Sequence, residues 1–105
     1  MSKIIQTPQP PYYAVIFTSL KDPEDQGYEA MSNRMVELVS KQEGFLGFES
    51  ARETLGITVS YWKDENSIRR WKADLEHREA QELGKSLWYK AYKIRIAKVE
   101  RDYAS

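Results

Sequence analysis

From Tyr12 to Ser19 the chain is apolar on both parities: Tyr13, Val15 and Phe17 alternate with Tyr12, Ala14 and Ile16. A strand without a polar side is expected to be covered on both faces. Asp22-Pro23 then offers a capping residue and a proline tolerated in a first helical turn. Tyr28, Met31, Met35, Leu38 and Val39 follow at helical spacing and predict an amphipathic helix, its regular part delayed by Gly27. The two methionines read as core filler. Gly44 ends this helix where a left-handed residue is wanted. Phe45 to Arg52 reads as a second strand, and Glu53-Thr54-Leu55-Gly56 as a turn. The β-branched and aromatic run Ile57-Thr58-Val59-Ser60-Tyr61-Trp62 makes a third strand, antiparallel to the second. Asp64 is placed to cap a helical segment reaching to Gly84, with Ile68, Trp71 and Leu75 on one face. Asp74 offers a second cap, so a break at Ala73-Asp74 is open. Trp88 to Val99 closes the pattern, Tyr92, Ile94 and Ile96 alternating with Lys93, Arg95 and Ala97.

The order β-α-β-β-α-β predicts an α+β, ferredoxin-like fold with a four-stranded antiparallel sheet and two helices on one face. Two helices on one face leave the other face bare, with apolar groups toward water. An exposed patch of that size marks a partner surface. Two sheets packing face to face about a two-fold axis are the economical solution, so a homodimer is expected. Ahead of the domain, which spans 12–105, Met1 to Pro11 ends in Thr7-Pro8-Gln9-Pro10-Pro11. That segment is unable to form helix. It is either a flexible tail or an arm lying on a partner.

Composition narrows the function classes. With 105 residues the chain makes one domain with a real core. Sixteen basic and sixteen acidic residues cancel, so no bulk field draws the protein to nucleic acid or acidic lipid. The absence of cysteine removes disulfides, thiolate zinc sites and thiol nucleophiles together. No apolar run approaches the roughly 20 residues of a membrane helix, and no signal-peptide core opens the chain. The expectation is a cytoplasmic protein without nucleic-acid or membrane partners. There is no glycine-rich phosphate loop, no two-histidine metal spacing and no nucleophile elbow.

Four stretches carry a resemblance. Gly44-Phe45-Leu46-Gly47-Phe48-Glu49-Ser50, Val59-Ser60-Tyr61-Trp62, Ile68-Arg69-Arg70-Trp71-Lys72, and Trp88-Tyr89 with Val99-Glu100-Arg101 resemble the antibiotic biosynthesis monooxygenase family. The likeness runs from about Tyr12 to Tyr103. It implies a dimeric α+β barrel, and an activity in which aromatic polyketides, phenols or quinols are oxygenated by O2 without flavin or metal. In such chemistry the substrate supplies the electrons. The protein binds a planar ring, takes a proton and holds a developing oxyanion in a dry pocket.

This chain has candidates for each task. His77 is its lone histidine and the candidate general base. Trp71 is paired with it as the second catalytic candidate. Tyr61, Trp62 and Thr18 are the substrate-binding candidates, offering ring faces and N–H or O–H donors. Each has a structural rival: on one continuous helix His77 shares a face of small residues with Ala73, Ala80 and Gly84, and both tryptophans sit where core packing wants them. The alternative function is a non-catalytic dimer that binds or senses a small aromatic molecule. A heme-degrading role fits less well. Where that branch of the family has its axial histidine this chain has Gln81, and where it has an asparagine near the end of the first strand this chain has Thr18.

Overall fold

In a computed structural model of the chain, residues 4–21, 28–78 and 89–105 are described. The elements are β1 (Tyr12–Lys21), α1 (Tyr28–Val39), β2 (Phe45–Arg52), β3 (Leu55–Trp62), α2 (Glu65–Arg78) and β4 (Tyr89–Val99). All strand pairs are antiparallel, in the order β2-β3-β1-β4. This is the ferredoxin-like arrangement that the alternation predicts. Three details differ from the sequence reading. The first helix ends at Val39, and Gly44, expected to stop it, stands in the turn that leads into β2. The β2–β3 bend is tighter than expected, at Glu53-Thr54, because the Glu53 amide donates to the Leu55 carbonyl at 3.0 Å. The second helix also runs through Ala73-Asp74 unbroken. Asp74 serves sideways instead of as a cap, accepting from Gln42 Nε2 at 3.2 Å and so tying the exit of α1 to α2. The start signal at Asp22-Pro23, and Ala80, Gln81, Gly84 and Trp88, lie outside the described residues.

The seating of α2 follows from three residues. Asp64 Oδ1 accepts from the Ser67 hydroxyl at 2.7 Å and the Ser67 amide at 2.8 Å, which is an N-cap. Those two bonds, the hydroxyl first, hold the Asp64 carboxyl below its ordinary range. Gly44 has φ +86°, and its carbonyl accepts from the Lys63 amide at 2.8 Å. A Cβ on Gly44 would run into the Ser67 side chain, so glycine is needed for the conformation and for the approach.

The register sorts the side chains into two layers, because directly paired residues of neighbouring strands share a face. Tyr13, Trp62 and Phe45 form one rung on the helix side, and Val15, Ser60 and Ile96 the next. Trp62 is fully buried, with Ile68 of α2 and Leu38 of α1 also in the core. On the side without helices, Tyr12, Ala14, Thr18, Val59, Tyr61 and Ile57 share the surface. Tyr12 and Ala14 are buried there all the same. The N-terminal segment lies over that end: the Ile5 amide donates to Glu49 Oε2 at 3.1 Å, and Thr7 Oγ1 donates to the Tyr12 hydroxyl at 3.1 Å. Gly47, φ +136° at a bulge in β2, gives room to the Ile5 side chain, which would stand 2.9 Å from a Cβ at that position. At the other end of the same face Leu55 and Ile57 remain 49% and 43% exposed.

Candidate functional site

The helix side of the sheet combines an aromatic cluster, a polar floor and an open apolar stripe. The Trp62 ring lies 6.4 Å from that of Trp71, stacked at 27°, and 5.3 Å from Phe45, edge-on at 66°. The Trp62 indole N–H is satisfied by Ser60 Oγ at 2.9 Å. From there β2 and β3 alternate small polar groups toward the helices. Ser50 and Thr58 share a hydrogen bond at 2.8 Å. The Arg52 guanidinium occupies the space that a side chain on Gly56 would fill, and it donates to the hydroxyl of buried Ser19. Arg52, Gly56, Ser19 and Tyr92 make up one rung across all four strands. Between β1 and the outer strand β4, Phe17 and Tyr92 hold their rings 5.6 Å apart at 34°. Tyr92, Ile94 and Ile96 are each more than half exposed. A recess of about 50 Å³ opens between α2 and β4, lined by Glu65, Ile68, Arg69 and Ile96. It is far smaller than the hundreds of Å³ a planar ligand fills. Among the described residues the exposed stripe is the broader apolar feature beside it.

The five residues singled out from sequence are divided among three places. Trp62 and Trp71 meet on the helix side. His77 is exposed on α2. At about 100° of rotation per residue it points nearly opposite the Ile68–Trp71–Leu75 stripe, as does the exposed Ala73. Tyr61 and Thr18 belong to the helix-free side, Thr18 paired between Ile57 and Lys93. Adjacent in sequence, Tyr61 and Trp62 are sent to opposite layers by the strand pleat.

Tyr61 has a partner that residue types alone did not suggest. Its hydroxyl donates to Glu49 Oε1 at 2.6 Å, and that bond, followed by burial, pushes its phenol up to about 12. The Tyr61 hydroxyl and then the Ile5 amide hold Glu49 below the usual carboxylate range. Tyr12 stands edge-on to Tyr61, ring centres 6.0 Å apart, and donates to Asp102 Oδ2 at 2.6 Å, which raises its own phenol. A raised folded-state phenol stabilises the fold fully below the unfolded value near 10, and that contribution is lost as the pH climbs toward about 12. The wild type is therefore expected to lose stability between those limits more steeply than Tyr61→Phe. Urea melts across that range and the phenolate absorbance check this; equal slopes would separate Tyr61 from the effect.

Sequence reasoning missed Ser19, Arg52, Gly56 and Glu49. Arg52 and Gly56 carried a signal, an alternation: Ser50 and Arg52 on β2, and Gly56, Thr58 and Ser60 on β3, place small or polar groups on every second position; Ser19 and Glu49 carried none. Among the described residues no three His, Cys, Asp or Glu side chains converge as a metal site, and no helix is long and apolar enough to cross a membrane.

Comparison with known proteins agrees with this architecture. The profile of the family described as Antibiotic biosynthesis monooxygenase matches residues 11–83. The uncharacterized protein YqjZ of Bacillus subtilis (strain 168) is 50% identical over 103 residues, covering 96% of this chain and 90% of its own. SnoaB, a cofactor-independent oxygenase from Streptomyces nogalater, superposes with a TM-score of 0.70 at 15% identity, covering 90% of this chain and 98% of its own. MhuD, solved with two manganese protoporphyrin IX bound per active site, superposes with a TM-score of 0.67 at 15% identity, covering 89% of this chain and 99% of its own. At such identities the two solved structures establish a shared fold.

Proposed function

Because the chain belongs to the antibiotic biosynthesis monooxygenase family, we propose that it oxygenates a small electron-rich aromatic with O2, without flavin or metal. The substrate class is a phenol, a quinol or a polyketide of the anthrone type. The observation that carries this reading is the exposed stripe Tyr92–Ile94–Ile96 beside Phe17, on the side of the sheet where α2 stacks Trp71 over Trp62. A planar ring gains apolar contact there, and the Ser19–Arg52 rung provides a polar end against which its oxygen substituents are oriented. Deprotonation makes the ring an electron donor to O2. An anthrone methylene then becomes a carbonyl, one oxygen atom being retained and the other leaving as water. Catalysis in this reading comes from holding and orienting the ring.

Trp71 is assigned to the substrate surface. His77 lies on the other side of α2, so the proton is assigned to solvent. With a panel of hydroquinones and anthrones, oxygen uptake is expected, and Trp71→Ala is expected to lower kcat/KM by about tenfold or more. His77→Ala should change it by less than about threefold. Turnover indifferent to Trp71, or abolished with His77, would reverse these assignments.

The same surface supports a second reading, a binding protein without turnover, favoured by the absence of an imidazole on the helix side. It is separated by aerobic incubation: ring binding that quenches tryptophan fluorescence, with no product, selects it. Heme degradation is not adopted, since Thr18 faces away from the helices. A homodimer formed through the helix-free face, with Leu55 and Ile57 at its centre, completes the proposal.

A further inference from the structure

The helix-free face is covered at one end and bare at the other, and what covers it is the chain's own N-terminal segment. Three independent contacts hold that segment down. The Ile5 amide bonds to Glu49 Oε2 while Tyr61 bonds to Oε1 of the same carboxylate, so one ionised group fastens both the arm and the sheet. The Ile5 side chain fills the hollow above Gly47, where any side chain would collide with it. Thr7 donates to the Tyr12 hydroxyl, which itself donates to Asp102 of the C-terminal tail. The result is visible in burial: Tyr12 is 5% exposed on a face that carries no helix, whereas Ile57, further along that face, is 43% exposed.

We propose that residues 4–11 are an intramolecular strap, latched by Glu49, that closes the Tyr12–Tyr61 end of the helix-free face within its own protomer. The strap confines contact with a second copy to the Leu55–Ile57 end. This second statement rests on the homodimer reading above; the first does not. A partner sheet cannot seat on Tyr12 and Tyr61 while the arm occupies them. The strap thus sets where along the sheet two copies meet, and it removes an aromatic pair that would otherwise offer a competing register.

Amide hydrogen exchange on the full-length protein tests both parts. The Ile5 amide is expected to be protected about tenfold or more, to lose that protection in Glu49→Ala, and to keep it in a monomeric Ile57→Asp variant; amides of β1 and β3 report that each variant is folded. An unprotected Ile5 amide in the wild type overturns the strap. Protection that survives Glu49→Ala overturns the latch. Protection present in the wild type but absent from monomeric Ile57→Asp shows the arm docking on the partner, which overturns the intramolecular assignment. A wild type that is monomeric with Ile5 protected leaves the strap standing and removes the dimer.

Discussion

Trp62→Ala is expected to lose about 3–5 kcal/mol of unfolding free energy, the range for emptying a large aromatic site in a core. Trp62 is fully buried at the end of β3, its ring between Phe45 of β2 and Trp71 of α2. Truncation removes the surface on which α2 rests and also strands the hydroxyl of Ser60, which now accepts from the indole. Domains of this size hold only about 5–15 kcal/mol in total. The loss therefore lowers Tm by at least about 12 °C, taking the smaller figure and roughly 4 °C per kcal/mol. Trp62→Phe keeps much of the packing and forfeits the hydrogen bond, so it should fall between wild type and alanine. Thermal and urea melts followed by circular dichroism decide the matter. A shift of under about 4 °C for the alanine variant would show that the indole is not what joins the layers.

Ile57→Asp is expected to convert a dimer into a folded monomer. Ile57 lies mid-sheet on β3, paired with Thr18 and Ala51, on the face with no helix. It is 43% exposed in the single chain, so a carboxylate there is tolerated by the protomer. In a face-to-face assembly the same position would be covered, and the cost of desolvating an unpaired charge is several kcal/mol. Two-fold symmetry applies that cost twice. Even about 2 kcal/mol per copy weakens association by roughly a thousandfold. Sedimentation equilibrium should show wild-type dimers and Ile57→Asp monomers with the same far-ultraviolet circular dichroism. A variant that stays dimeric would place the contact on another surface.

Most of the fold was legible because each element carries its own local signal. Asp64 caps, Gly44 turns left-handed, and the pleat separates apolar from polar parities along β3 and β4. The strand order then follows from the connections. The candidate site was less legible, for two physical reasons. Helical phase beyond Trp71 depends on whether the segment breaks at Asp74; because it does not, His77 turns toward solvent instead of toward the sheet. Partners distant in sequence are the second reason. Nothing local in Glu49 announces that it will bind both Tyr61 and Ile5, or in Arg52 that its guanidinium will lie over Gly56 and reach Ser19. Both parities of β1 are apolar, which calls for cover on both faces of the sheet. A sequence pattern tells that cover is needed but not whether it comes from a second chain or from the same one.

The neighbours Tyr61 and Trp62 face away from one another, one bound to the arm's anchor and the other to the helix. This makes the final stretch of β3 intolerant of length change. A single residue inserted between Ile57 and Trp62 would send the indole out to the arm and the phenol in beneath α2, undoing two attachments by one slip. The Glu53-Thr54 bend, by contrast, can lengthen without moving either ring, so family members that vary in size should do so there.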